Sequence, residues 1–99
     1  MTVLKHTINW SARAKLDVKH IYLQLLDKNS KSTSQKIRDE ILKAPESIIF
    51  AEQFQVDEYL EECRRIIVRN YKILYSVQGT TISIISVFNS YSHPSKMKA

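Results

Sequence analysis

Arg65, Arg69 and Lys72 are the residues of this 99-residue chain best placed to act on a ligand together. If Arg64–Arg69 and Tyr71–Val77 pair as a hairpin turning near Arg69 and Asn70, strand alternation sorts their side chains onto two faces. Arg65, Ile67, Arg69, Lys72, Leu74 and Ser76 then share one face, which is mixed and basic. Cations gathered on a sheet face suit an anion, either nucleic acid or an acidic protein segment. Other chemistries find little support. His6, His20 and His93 lack metal-ligand spacing, so no metal site is expected. Cys63 stands alone without a neighbouring His and reads as a small buried hydrophobe. Glu61 and Glu62 are expected to pair with the adjacent Arg64 and Arg65. No Gly-rich phosphate loop is present, which excludes nucleotide hydrolysis of that kind.

Charge along the chain sharpens the reading. Met1 to Pro45 holds nine Lys and Arg against four acids, and Glu46 to Glu62 holds six acids with no Lys or Arg. Cys63 to Ala99 then holds six basic residues and no acid. A last third that cannot neutralise itself projects a positive field toward an anionic partner. The chain is 43% hydrophobic and 25% charged, with one Gly and two Pro. That balance fits one small globular domain with few loops, and argues against disorder or a many-turned sandwich. No apolar run approaches the roughly 18 residues of a membrane span. Met1 to Trp10 is charged and polar where a signal peptide is apolar. A cytoplasmic domain without membrane contact is the expectation.

The elements that must position the basic face follow from periodicity. Val3–Trp10 alternates apolar and polar residues as a first strand, and Ser11 is a plausible N-cap. Ala14, Val18, Ile21, Tyr22 and Leu25 then form one stripe on a helix running to about Asp27. Lys28–Thr33 reads as the turn. A second helix, Ser34–Ala44, carries Ile37, Ile41 and Ala44 on one side, and Pro45 ends it. Glu46–Glu62 has no clean period. After it, Arg64–Arg69, Tyr71–Val77 and Thr80–Phe88 read as three strands, with Gln78 and Gly79 in the last turn. Ile66, Val68, Tyr71, Ile73, Tyr75 and Val77 form an apolar face able to cover the helical hairpin. The order is β-α-α-β-β-β, an α+β fold with the hairpin on one face of a small antiparallel sheet. The tail from Asn89 to Ala99 is expected to be partly disordered.

Several stretches resemble the RelE/ParE family of type II toxins. They are Ile8-Asn9-Trp10-Ser11 with Ala14, Ile37-Arg38-Asp39-Glu40-Ile41, and above all Arg64-Arg65-Ile66-Ile67-Val68-Arg69-Asn70-Tyr71-Lys72-Ile73-Leu74-Tyr75. The last is similar to the family's R-x-I-x-V-x-x-Y-R-I-L-Y stretch. Ile85–Ser90 resembles its I-x-x-V-x-H-S ending. The likeness spans about residues 8 to 94. It implies a growth-arresting toxin, needing no cofactor and neutralised by a cognate antitoxin protein in a hetero-oligomer. Its target is either DNA gyrase, as for ParE-like members, or mRNA in the ribosome, as for RelE-like endoribonucleases.

For the nuclease branch the resemblance implies catalytic roles. Metal-free cleavage needs a base, an acid and cations for charge developing on phosphorus. Lys72 takes the position of the family's arginine in Y-R-I-L-Y, without arginine's two-pronged grip. Arg65 aligns with a basic residue of active nucleases. Tyr91 or His93 would supply the acid or base, His titrating near neutrality. Asn89 and Ser90 stand where the family often has a histidine and a basic residue. This incomplete set favours a gyrase-directed toxin, with an endoribonuclease or an inert family member as alternatives. Tyr22, Leu25, Leu26, Phe50 and Phe54 form an apolar surplus that an antitoxin helix would cover, or else they complete the core.

Overall fold

The strand order β1-β4-β3-β2 puts the first and last strands of the chain side by side. The computed structural model describes residues 7–48 and 53–90. Its elements are β1 (Thr7–Trp10), α1 (Ala12–Lys28), α2 (Lys31–Lys43), a 3-10 turn (Ala44–Ser47), β2 (Arg64–Val68), β3 (Tyr71–Gln78) and β4 (Thr81–Asn89). This is the expected β-α-α-β-β-β order with one correction. β1 runs parallel to β4 while β2, β3 and β4 form an antiparallel meander, so the sheet is mixed. The reason is connection length. Two antiparallel helices return the chain to the end it left, and the long acidic segment after α2 carries it back before β2 begins. Expected strand residues Val3–His6, and Tyr91–Ala99 of the tail, lie outside the described residues. Asn89, expected in the tail, is instead the last residue of β4.

Local chemistry sets the helix ends. Ser11 caps α1, its Oγ accepting from the Ala14 amide at 3.0 Å. Ser30 caps α2 through the Thr33 amide at 3.2 Å. Helix α2 therefore starts at Lys31 and not at Ser34, and only Asn29 and Ser30 separate the helices. Lys31-Ser32-Thr33 is polar enough to read as loop, yet it is a solvent-facing first helical turn behind a good cap. Pro45 ends α2 as expected and opens the 3-10 turn. The β2–β3 turn falls on Arg69-Asn70 as expected. Arg69 holds a left-handed φ of 56°, a conformation that costs a non-glycine residue about 1 kcal/mol or more. Gly79, at φ 61°, places the last turn one residue later than expected, on Gly79-Thr80.

The core lies between the helices and one sheet face. Ala14, Val18, Ile21, Ile37 and Ile41 pack there with Ile66, Tyr71, Ile73, Tyr75, Ile82, Ile84 and Val87. Phe54 joins them, its ring edge-on to Tyr75 at 6.3 Å between centroids. Strand β4 reaches this face only through a bulge. Leu74 pairs with Ser86 and Tyr75 with Ile84, leaving Ile85 over. Ile82 and Ile84 share one phase of the strand and Val87 has the other, so one extra residue lets all three face inward. Helix α1 satisfies the disturbed backbone. The Ser11 amide and hydroxyl donate to the carbonyls of Ile84 and Ile85 at 3.1 and 3.0 Å. The Asp17 carboxylate accepts from the Val87 amide at 3.0 Å and from Ser86 Oγ at 2.8 Å. No helix among the described residues is long and apolar enough to cross a membrane.

Val87 and Ser86 are buried, so removing Asp17 strands an amide hydrogen without water. Asp17→Ala is expected to lower unfolding free energy by about 1–3 kcal/mol in urea melts, with Asp17→Asn recovering most of it. Equal losses in the two variants would show that the acceptor is not what matters there.

Candidate functional site

The acidic segment lies on the basic face. After Phe54, the chain runs antiparallel beside β2, with a bridge between Val56 and Arg64. The Arg65 amide donates to the Gln55 carbonyl at 3.0 Å, and the Asp57 amide to the Cys63 carbonyl at 2.8 Å. Beyond the second bond, between Asp57 and Cys63, the chain makes a tight excursion that Asp57 itself holds. Its Oδ2 accepts from the amides of Tyr59 and Leu60 at 3.0 and 2.9 Å. This is the Asx-turn role in which a short carboxylate outcompetes longer acids.

The same carboxylate reaches across the sheet. Asp57 Oδ1 lies 3.1 Å from Lys72 Nζ and 3.8 Å from Arg65 Nη1. It makes no hydrogen bond of good angle and is neutralised by these two cations. The Lys72 side chain is only 9% exposed and that of Asp57 only 2%. The rings of Tyr59 and Phe88 each stand 5.4 Å from Lys72 Nζ, one on the segment and one on β4. Burial pushes the Asp57 carboxyl up. Lys72 and the two turn amides more than offset that and hold it below the ordinary carboxylate range. Glu58 adds a weaker contact to Lys72 at 4.0 Å.

The expected site residues therefore have different fates. Arg65 and Lys72 do come together, in an open cleft of about 270 Å³ with Glu58, Tyr59, Ile67, Phe88 and Ser90. Arg69 leaves the group. Its guanidinium turns to α2 and makes two 2.9 Å hydrogen bonds with Glu40, which holds the Glu40 carboxyl below its usual range. Arg65 donates to Gln55 Oε1 at 3.1 Å, and Arg64 to the Phe54 carbonyl at 2.7 Å. The acid that meets Arg65 is thus Asp57. Glu61 and Glu62 form no ion pair with Arg64 or Arg65 among the described residues. Ser90 is spent on the Asn70 carbonyl, bonded through its amide and its hydroxyl at 2.6 and 2.8 Å. Tyr91 and His93 lie outside the described residues. Cys63 is buried, and burial, with Glu62 and Asp57 nearby, pushes its thiol up, away from a nucleophilic thiolate.

Sequence reasoning missed Asp57, Tyr59 and Phe88. A signal for Asp57 was present, since the acidic block Glu46–Glu62, which has no Lys or Arg, immediately precedes Cys63–Ala99, which has no acid. Of the expected apolar surplus, Leu25 and Phe54 complete the core and Tyr22 carries the Arg38 guanidinium 4.9 Å above its ring. Leu26 stays exposed, and Phe50 lies outside the described residues.

Comparison with known proteins places this geometry in context. A family model described as the ParE toxin of type II toxin–antitoxin systems, parDE, matches residues 8–90. A chain from the chromosomal ParDE toxin–antitoxin system of P. aeruginosa superposes with a TM-score of 0.75 at 14% identity, covering 86% of this chain and 96% of that one. A variant of the E. coli toxin RelE in the free state superposes at 0.53 and 15% identity, covering 96% and 94%. At such identities these two likenesses concern the fold. No curated protein matches the sequence.

The buried pair gives the fold an acid-sensitive term. A carboxyl held below its unfolded value stabilises the fold above about pH 4, and that contribution is lost as pH falls through the folded value. Asp57→Asn leaves Lys72 buried without its partner and is expected to cost about 3 kcal/mol at neutral pH. The gap between wild type and variant should close as pH drops below about 4. Urea midpoints across that range measure it, and a gap independent of pH would contradict the assignment.

Proposed function

We propose a function from one premise: this chain belongs to the family of ParE toxins of type II toxin–antitoxin systems. Within that family we read it as the growth-arresting toxin of its pair, neutralised by a cognate antitoxin protein. Its target on this reading is DNA gyrase, met through binding and without catalysis by the toxin.

One observation carries the choice of target. Lys72, at the position resembling the family's Y-R-I-L-Y arginine, has its ammonium 3.1 Å from the Asp57 carboxylate and nearly sealed from solvent. A phosphate entering the cleft would have to displace that carboxylate from Lys72 and Arg65 together. Cleavage at phosphorus needs cations poised for charge that develops in the transition state. Cations already neutralised in the ground state offer little of this. Ser90 and Asn89, where nucleases of the family often carry a basic residue and a histidine, support the same reading. The cleft around Arg65 and Lys72 is the feature that favours the second reading, a ribosome-dependent endoribonuclease in which Asp57 moves aside.

Expression in a bacterium lacking the antitoxin, followed by RNA 5′-end mapping, separates the two. The expected outcome is growth arrest without new codon-phased ends, and purified toxin that blocks supercoiling of relaxed plasmid by gyrase. Lys72→Met should keep most of that inhibition. Codon-phased ends that vanish in Lys72→Met would establish the nuclease instead, and no arrest at all would mark an inert member.

A further inference from the structure

Where the end of α1 meets the β2–β3 turn, the protein has a second cleft, of about 390 Å³. It shares no lining residue with the cleft around Arg65 and Lys72. Its lining is rich in carboxamides: Gln24 of α1, Asn29 at the helix cap, Asn70 of the turn and Asn89 at the end of β4. Asp27 and Lys28 add one charge of each sign, which leaves the lining neutral. Tyr71 is its buried member. The residue is only 7% exposed and its ring belongs to the core, yet its hydroxyl has no hydrogen-bond partner among the described residues. Nor is that hydroxyl sealed, because the one sealed and unpartnered side-chain atom among those residues is Asp57 Oδ1. It therefore reaches the cleft that the residue lines. Burial pushes the Tyr71 hydroxyl up, so it stays protonated and able to donate.

We infer that this cleft binds a purine base, adenine above the others, by its hydrogen-bonding edge. A carboxamide presents a donor and an acceptor side by side in one plane, and that pair matches N6 and N7 of adenine. Guanine calls for a cation at O6 and N7, and the single lysine of the lining stands next to Asp27. Two of the carboxamides are on held backbone. Asn29 Nδ2 donates to the Leu25 carbonyl at 3.1 Å, which leaves its Oδ1 to accept. The Asn70 carbonyl takes the Ser90 amide and hydroxyl at 2.6 and 2.8 Å, which fixes the turn and leaves the side chain of Asn70 for a ligand. The volume is at the lower end for small-ligand sites and suits a nucleoside better than a larger cofactor. Because the Tyr71 ring is already packed in the core, edge pairing and not stacking supplies the affinity, which is accordingly modest. The same base can come from a free nucleoside or from an unpaired position of a single strand. The site stands whichever target the toxin meets.

The test is NMR titration of the full, nitrogen-labelled chain, which reads backbone and side-chain amides directly. The probes are adenosine, uridine and short single-stranded oligoadenylate, with oligouridylate as the charge-matched control. Adenosine should shift the side-chain signals of Gln24, Asn29 and Asn70 with a Kd on the order of 1 mM, and uridine should bind about tenfold more weakly. Tyr71→Phe removes only the hydroxyl and should weaken adenosine roughly fivefold. Gln24→Ala/Asn70→Ala should weaken it roughly thirtyfold at an unchanged thermal midpoint, while Gln35→Ala on α2 leaves it as it is. Oligoadenylate that binds at the same residues at least about tenfold tighter than adenosine, and tighter than oligouridylate, would assign the base to a strand. Equal affinity for adenosine and oligoadenylate would assign it to a free nucleoside, and either result upholds the site. The proposal is overturned by adenosine that gives no saturable shift, by wild-type affinity in Gln24→Ala/Asn70→Ala, or by shifts centred on Arg65 and Lys72.

Discussion

A carboxylate sealed from water must be neutralised, and how Asp57 meets that demand organises the functional side of this protein. Two backbone amides satisfy one of its oxygens, and two cations from neighbouring strands neutralise the charge at the other. One short side chain thereby folds the turn after Asp57, pins the segment to the edge of β2 and neutralises Arg65 and Lys72 on the sheet. Removing either partner of such a pair costs more than the pair itself contributes, because the remaining ion stays buried alone. The segment is therefore held by the penalty for leaving.

The opposite face of the sheet depends on a second accommodation. Strand β4 carries its apolar residues in two phases, and the extra residue at Ile85 reconciles them. The bulge leaves carbonyls and an amide without ladder partners, and helix α1 supplies those partners through Ser11 and Asp17. Docking of α1 on β4 is thus specified by hydrogen bonds as well as by burial of Ala14, Val18 and Ile21. With β4 fixed in this way, Phe88 stands across from Lys72 in the pairing of β3 with β4 and closes the aromatic flank of the ammonium.

The apolar face Ile66, Val68, Tyr71, Ile73, Tyr75 and Val77 was legible because its alternation runs unbroken through a two-residue turn. So were the helix stripe and the stop at Pro45. The start of α2 was not, since Lys31-Ser32-Thr33 has loop composition and only the cap geometry of Ser30 makes it helical. The mixed sheet was hidden too, because strand direction depends on how far the aperiodic acidic segment travels. At the site, alternation correctly put Arg65 and Lys72 together. It misplaced Arg69, whose left-handed turn conformation and bond to Glu40 lie outside any strand period. The neutralising acid was obscured for a related reason. Six acids lie in Glu46–Glu62, and nothing in their spacing tells which one turns inward.

The central claim is that Asp57 and Lys72 act as one unit binding the acidic segment to the sheet. A double-mutant cycle tests it most directly, using urea unfolding of wild type, Asp57→Asn, Lys72→Met and the double variant at neutral pH. The account predicts strong coupling of about 2 kcal/mol, with the double variant more stable than the sum of the single losses allows. Losses that add to within about 0.3 kcal/mol would mean that the two residues act independently, and the basic face would then be free to meet an anionic ligand.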